Sequence, residues 1–163
     1  MSASNPALRV LFVCTGNTCR SPLAAAALRD ALGEEAARVA LESAGTGAWE
    51  GQSATGFSIE VAARDGVDLR DHRSRRLTAP MVREADWVVV MERSHLAAVR
   101  ALGAEDPRTF VLSEWPAPGE PLLTVDDPFG GSQEAYEECW RRIRRHVQRW
   151  VPHVREALRA RSA

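Results

Sequence analysis

The sequence contains no lysine, and all 21 of its long basic side chains are arginine. A nucleotide-binding loop with the pattern Gly-x-x-x-x-Gly-Lys-Ser/Thr is therefore excluded. No apolar run approaches the length of a transmembrane helix, and no secretory signal pattern follows Met1. We therefore expect a cytoplasmic protein that has no membrane partner.

Cysteine is also scarce: the chain has three, Cys14, Cys19 and Cys139, together with four scattered histidines. An odd number of cysteines in a reducing compartment argues against a disulfide scaffold, and their spacing fits no zinc site. The net charge of −1 gives no reason to expect nucleic acid as a partner. We expect a monomer that needs no metal and no cofactor.

A length of 163 residues with 45% hydrophobic residues is typical of a single globular domain, here residues 1–163. Four apolar runs alternate with helical patterns, which predicts an α/β fold with parallel strands. We expect a doubly wound four-stranded sheet in the order 2-1-3-4, with helices on both faces. The predicted strands are 9–13, 39–44, 86–91 and 108–112.

The first predicted strand leads through a loop, Cys14 to Ser21, into a helix that we expect to end at Gly33. Ser21 suits the N-cap of this helix, and Pro22 suits its first helical position. The loop joins the carboxyl end of a strand to the positive end of a helix. Its backbone N–H groups can therefore hold an anion such as phosphate.

The loop itself begins with Cys14 and ends with Arg20. A thiol among N–H donors and beside a guanidinium should have its pKa lowered to roughly 3.5–7.5, which makes Cys14 a candidate nucleophile. Arg20 can hold two phosphoryl oxygens in a fork. A cysteine six positions before an arginine recurs by chance in so arginine-rich a chain. The prediction therefore depends on the context, including Gly16 and Asn17, which suit positive φ angles.

Three segments together resemble the low-molecular-weight protein phosphatases: CTGNTCRSP at 14–22, SAGTGAW at 43–49 and DPFGGS at 127–132. The resemblance implies an enzyme that dephosphorylates proteins through a phosphocysteine intermediate. Either Asp126 or Asp127 could be the general acid by residue type, and the resemblance selects Asp127 because it directly precedes Pro128. It also implies that the Ser21 hydroxyl donates to the Cys14 sulfur. The phosphate-binding residues would be Thr15, Gly16, Asn17, Thr18, Cys19 and Ser21.

Two other function classes share this scaffold. An arsenate reductase needs a relay of further cysteines, and the chain has none between Cys19 and Cys139. An inactive phosphate-binding module is disfavoured because the chain retains the nucleophile, the arginine and the acid. We therefore expect phosphorylated proteins to be the substrates.

Which phosphorylated side chain the enzyme accepts is a finer question. The candidate specificity residues are Thr18, Trp49 and Phe129. Thr18 in the loop and the sequence Phe129-Gly130-Gly131 resemble the protein-arginine phosphatase branch of the family, whereas Trp49 resembles the tyrosine phosphatase branch. We favour phosphoarginine and keep phosphotyrosine as the alternative. By itself, a tryptophan in a loop is more often a packing residue than a recognition residue.

Cys14 and Cys19 belong to one loop, so we also expect a reversible disulfide between them under peroxide. The polar segment 69–77, with its four arginines, is most simply a solvated surface. The segment 113–132, rich in proline and glycine, is long enough to be functional. A long amphipathic helix is predicted over 133–150, and Pro152 should break or kink it.

Overall fold

The computed structural model describes residues 5–115 and 125–162, and its central feature is a four-stranded parallel sheet. The strand order is β2-β1-β3-β4, which confirms the predicted topology. The predicted loop over 113–132 lies partly outside the described residues, as does the start of the chain. The strands are β1 (Leu8–Cys14), β2 (Val39–Gly45), β3 (Trp87–Val90) and β4 (Thr109–Val111).

Helices cover both faces of this sheet, as predicted. They are α1 (Arg20–Leu32), α2 (Gly56–Arg64), α3 (Ala79–Glu84), α4 (Leu96–Ala101) and α5 (Gln133–Ala160). β1 is buried on both sides because its alternate residues belong to two separate clusters. Val10 and Phe12 pack with α1, α2 and α5, whereas Leu11 and Val13 pack with α3 and α4.

Short 3₁₀ segments connect several of these elements. They lie at Gly33–Arg38, Arg93–His95, Asp106–Arg108 and Leu112–Glu114. No helix in the described ranges is long and apolar enough to cross a membrane.

The last helix differs from its prediction. α5 is 28 residues long and continues through Pro152, so of the expected break or kink the break is wrong and the kink stays a prediction. The apolar face of the helix continues past the proline: Val151, Val154 and Leu158 are buried. Burial of this face against the core outweighs the single backbone hydrogen bond that a proline removes. α5 therefore packs along α1, directly behind the loop that α1 follows.

Candidate active site

The predicted loop lies between the end of β1 and the start of α1, at the carboxyl edge of the sheet. One detail of the prediction is wrong, because α1 begins at Arg20 and Cys19 takes the N-cap position without a side-chain cap. The Ser21 hydroxyl instead lies 2.9 Å from the Cys14 sulfur. This serine is engaged by the nucleophile and is not available to cap the helix.

The buried side chain of Asn17 stabilises the loop through hydrogen bonds. Asn17 has φ 57°, in agreement with the expected positive angle, whereas Gly16 is not among the positive-φ residues of the described ranges. Its buried side-chain amide donates to the Ser21 hydroxyl at 2.8 Å and to the Ser43 hydroxyl at 2.9 Å. Its side-chain oxygen accepts from the backbone N–H of Arg75 at 2.8 Å. Both N–H donors of the amide and its oxygen are thus engaged, and the side chain fixes the shape of the loop.

The segment around Arg75 was interpreted from sequence as a solvated surface, and that interpretation is incomplete. Ser74 is buried, and Nε2 of His72 lies 2.6 Å from the Asn17 carbonyl oxygen. Burial lowers the pKa of His72, and the nearby Arg75 and Arg73 lower it further. The segment therefore packs against the loop and supports Asn17 from the side away from the cleft. No local pattern in the sequence indicates this contact.

The end of β2 holds the other side of the loop. The N–H groups of Thr46 and Gly47 donate to the carbonyls of Cys14 and Thr15 at 2.9 and 3.0 Å. A Cβ atom at Gly45 would lie 2.5 Å from the Thr15 carbonyl oxygen. This position therefore requires glycine because of close backbone approach.

The pKa of the nucleophile departs from the sequence-based expectation. Burial raises the pKa of the Cys14 thiol, and this is the largest effect. Hydrogen bonds from Ser21 and from the backbone N–H of Asn17, with the charge of Arg20, lower it. The expected lowering of the pKa is thus wrong in direction, because the sulfur lies in the core rather than at an exposed helix terminus. The contacts that lower the pKa are the ones that favour the reactive thiolate.

Arg20 is almost fully buried and is held by three partners. Its guanidinium lies 3.4 Å from Glu92 and 3.7 Å from Asp127, and it donates to the Val125 carbonyl at 3.1 Å. Glu92 was missed in the sequence. Its signal was its place directly after the third predicted strand, at the edge of the sheet where ligands bind.

His95 was missed as well. Its Nε2 lies 3.0 Å from the Thr15 hydroxyl, and its ring is buried. Glu92 and His95 cap the same 3₁₀ turn, because each side chain accepts from the other residue's backbone N–H. The turn after β3 thus contacts both ends of the loop.

A cleft of about 240 Å³ opens above the loop. All predicted site residues line it except Asn17 and Ser21, which lie beneath. Trp49 and Phe129 are 76% and 70% exposed at its mouth, so Trp49 is not packed in the core, and its role in substrate specificity stays a prediction. Gly47 and Gln52 complete the lining.

Of the two candidate acids, only Asp127 lines the cleft. The carboxylate of Asp127 faces it and is half-exposed, whereas Asp126 is outside it and lies 4.0 Å from Arg142. No group of side chains in the described ranges could hold a metal ion.

All three cysteines are free and buried. The Cys19 sulfur lies 3.5 Å from the Tyr136 hydroxyl and 3.6 Å from the Thr55 hydroxyl. Burial raises the pKa of Cys139 to about 12, so this thiol is unreactive at neutral pH. The disulfide between Cys14 and Cys19 stays a prediction.

This geometry, a buried cysteine in a loop closed by a buried arginine and faced by an aspartate, is suited to phosphoryl transfer. Comparison with known proteins identifies the class. Residues 9–161 match the model of the low molecular weight phosphotyrosine protein phosphatase family, and the chain belongs to that family. It is accordingly a protein phosphatase.

Curated relatives and solved structures agree with this assignment. The low molecular weight protein-tyrosine-phosphatase of Streptomyces coelicolor is 36% identical in an alignment of 163 residues. The alignment covers 95% of this chain and 98% of the relative. Etp of Escherichia coli K12 is 36% identical over 146 residues, covering 89% and 93%.

Among solved structures, a cysteine-to-serine mutant of the arginine phosphatase YwlE with a phosphorylated active-site serine superposes with TM-score 0.82. It is 29% identical and covers 91% of this chain and 97% of its own. The tyrosine phosphatase AmsI of Erwinia amylovora gives 0.79 at 33% identity, covering 89% and 91%.

Proposed function

We propose that the enzyme works through a phosphocysteine intermediate formed on Cys14. The thiolate attacks phosphorus, and the bond from phosphorus to the leaving atom breaks. Arg20 and the loop N–H groups hold the phosphoryl oxygens as negative charge spreads over them. The arginine needs no rearrangement for this, because its charged partners already hold it in the floor of the cleft.

Asp127 supplies the proton in this scheme. It protonates the departing atom in the first step, and in the second step it takes a proton from the water that attacks the phosphocysteine. Its carboxylate lies in the cleft with the nucleophile, which Asp126 does not. The phosphorylated serine in the YwlE mutant supports attachment of phosphorus at the equivalent of Cys14.

We propose phosphoarginine in proteins as the substrate. A guanidinium is planar and rich in N–H donors, so a cleft that excludes water from it must supply acceptors. Thr18 and Asp127 both line the cleft, and each side chain carries an oxygen that can accept. The nearly complete burial of Thr18 carries the proposal, because a hydroxyl that is removed from water discriminates strongly between polar and apolar groups.

A second candidate, phosphotyrosine, is favoured by the mouth of the cleft. Trp49 and Phe129 are large, exposed aromatic side chains on its rim, and aromatic rings stack well on a phenyl group. The relatives from Streptomyces coelicolor and Escherichia coli are named tyrosine phosphatases. Both aromatic rings can also stack on a guanidinium.

Three variants of Thr18 separate the two substrates. Thr18→Ile and Thr18→Val replace the hydroxyl with hydrocarbon, and valine keeps the volume of threonine. Thr18→Ser keeps the hydroxyl and removes the methyl group. We expect the ratio of kcat/KM for phosphoarginine over phosphotyrosine peptides to fall about 10- to 200-fold in both apolar variants and to change little in Thr18→Ser.

The wild-type ratio is measured first, with the same peptide sequence carrying either phosphorylated residue. A wild-type preference for phosphotyrosine would overturn the arginine assignment. So would an unchanged ratio in Thr18→Val, since the hydroxyl would then play no part in selection.

A further inference from the structure

His95 is a buried titratable residue that the proposed reaction does not use. It is 4% exposed, it follows β3, and it belongs to neither the loop nor the acid segment. Both of its ring nitrogens are nevertheless engaged. Nδ1 lies 3.3 Å from the backbone nitrogen of Glu92, and Nε2 lies 3.0 Å from the Thr15 hydroxyl oxygen.

The partner of Nδ1 fixes the tautomer. A backbone N–H can only donate, so Nδ1 must accept from Glu92 and carry no hydrogen. The single hydrogen of the neutral ring is then on Nε2, which donates it to Thr15. A protonated ring would direct a second hydrogen at the Glu92 N–H group. The structure therefore requires the neutral Nε2–H form.

This tautomer determines what the Thr15 hydroxyl can do. The oxygen accepts from His95, so its own hydrogen must point elsewhere. Thr15 is exposed and lines the cleft beside Cys14, and no other partner of its hydroxyl occurs in the described part of the chain. The free hydrogen is therefore available to an acceptor in the cleft, where phosphoryl oxygens bind.

The same turn also holds the arginine. The Glu92 carboxylate accepts from the backbone N–H of His95 and from the Ser94 hydroxyl at 2.8 Å, and it lies 3.4 Å from the guanidinium of Arg20. Glu92 and His95 cap each other, so one turn positions both the guanidinium of Arg20 and the hydroxyl of Thr15.

We propose that His95 is a positioning residue that, as the Nε2–H tautomer, turns the Thr15 hydroxyl into a hydrogen-bond donor for the bound phosphoryl group. This role rests on the phosphatase chemistry of the cleft and is independent of the choice between phosphoarginine and phosphotyrosine. It follows from the two ring contacts and from the exposure of Thr15.

The charges around His95 favour this tautomer over the cation. Burial and the positive charge of Arg20 lower the pKa of the ring, and the carboxylates of Glu92 and Asp127, together with a hydrogen bond to the backbone of Glu92, oppose them with smaller effects. The ring therefore stays neutral at neutral pH and takes up a proton only in acid. Protonation there would break the bond from the Glu92 N–H group.

Two substitutions test the two ring nitrogens separately. In His95→Asn, the side-chain oxygen can occupy the place of Nδ1 and accept from Glu92, but the side chain is too short to reach Thr15. In His95→Gln, the side-chain amide can occupy the place of Nε2 and donate to Thr15. We expect His95→Asn to weaken competitive inhibition by inorganic phosphate and kcat/KM for an aryl phosphate by about 10-fold, and His95→Gln to retain most of both.

A double-mutant cycle shows whether the effect passes through Thr15. In a Thr15→Val background, the further change His95→Asn should alter phosphate inhibition by less than about 2-fold. The ring nitrogens of His95 in the wild type, observed by NMR with inorganic phosphate bound, should show hydrogen on Nε2 alone. In His95→Gln, the acid limb of the pH profile should lose the ionisation that belongs to the ring.

Either of two results overturns the proposal: equal effects of the asparagine and glutamine variants on phosphate inhibition, or a hydrogen on Nδ1 in the NMR spectrum. Phosphate inhibition and the tautomer are measured without a phosphoprotein substrate. A failure of the arginine assignment would therefore leave both results unchanged, and the two failures can be told apart.

Discussion

The Ser21 hydroxyl is expected to tune the reactivity of the nucleophile, and Ser21→Ala tests this. The hydroxyl lies 2.9 Å from the Cys14 sulfur, in a buried site. A hydrogen bond to a charged group contributes about 1.5–3 kcal/mol, and one pKa unit corresponds to about 1.4 kcal/mol. Loss of the hydroxyl should therefore remove this stabilisation of the thiolate and raise the pKa of Cys14 further.

The sign of the pH dependence follows from the contacts. Burial raises the pKa of Cys14 and Ser21 lowers it, so the variant should have less thiolate at any pH below both pKa values. The thiolate of the variant is also a stronger nucleophile, because nucleophilicity rises by about 0.4–0.5 log units in rate per pKa unit, and this partly offsets the loss of thiolate. Alkylation by iodoacetamide at neutral pH should thus slow by about 3- to 15-fold. Above both pKa values the variant should react at least as fast as the wild type.

Ser43→Ala is the matched control, because the Ser43 hydroxyl also accepts from the Asn17 amide, at 2.9 Å, but is not among the groups that shift the pKa of Cys14. The assay follows alkylation of the Cys14 peptide by mass spectrometry across pH. The midpoint of the rate profile should move upward in Ser21→Ala only. An unmoved midpoint in Ser21→Ala, or an equal movement in both variants, would refute the reasoning.

Three shorter predictions concern the reaction and its redox control. Cys14→Ser should abolish turnover without loss of thermal stability, because serine is a far weaker nucleophile at neutral pH, and appreciable residual turnover would contradict the mechanism. Asp127→Asn should slow aryl phosphates with poor leaving groups much more than those with good ones, whereas Asp126→Asn should slow neither; equal slowing would show that the acid is misassigned. Peroxide should join Cys14 to Cys19 through a sulfenic acid whose oxygen leaves as water when the second thiol attacks, so Cys19→Ser should recover poorly with added thiol and Cys139→Ser should recover like the wild type.

The elements that could be predicted from sequence are those whose signal is local. The strand ending at Cys14 contains the apolar run 10–14, and the valines of β3 form another, so both strands and their parallel order followed from composition and spacing. The cleft residues that adjoin Cys14 in the chain were identified from the resemblance of the loop to that of the family.

The parts that could not be predicted depend on contacts between distant positions. His95 meets Thr15 across 80 positions, and His72 meets Asn17 across 55. Ser21 has the local signal of an N-cap, and that signal is misleading: the contact of its hydroxyl with the sulfur was expected from the family resemblance and not from the local pattern. The pKa of Cys14 was predicted with the wrong sign because sequence indicates the neighbouring donors but not the depth of burial.

The packing of α5 behind the loop has a consequence for biosynthesis. Cys19 lines the cleft and meets Tyr136 across 117 positions, so a cleft residue packs against the helix that is synthesised last among the described elements. Closing so long a separation is among the slower events of folding. The nascent chain therefore carries Cys14 long before this contact can form, and we expect enzymatic activity to begin only when α5 has emerged and docked.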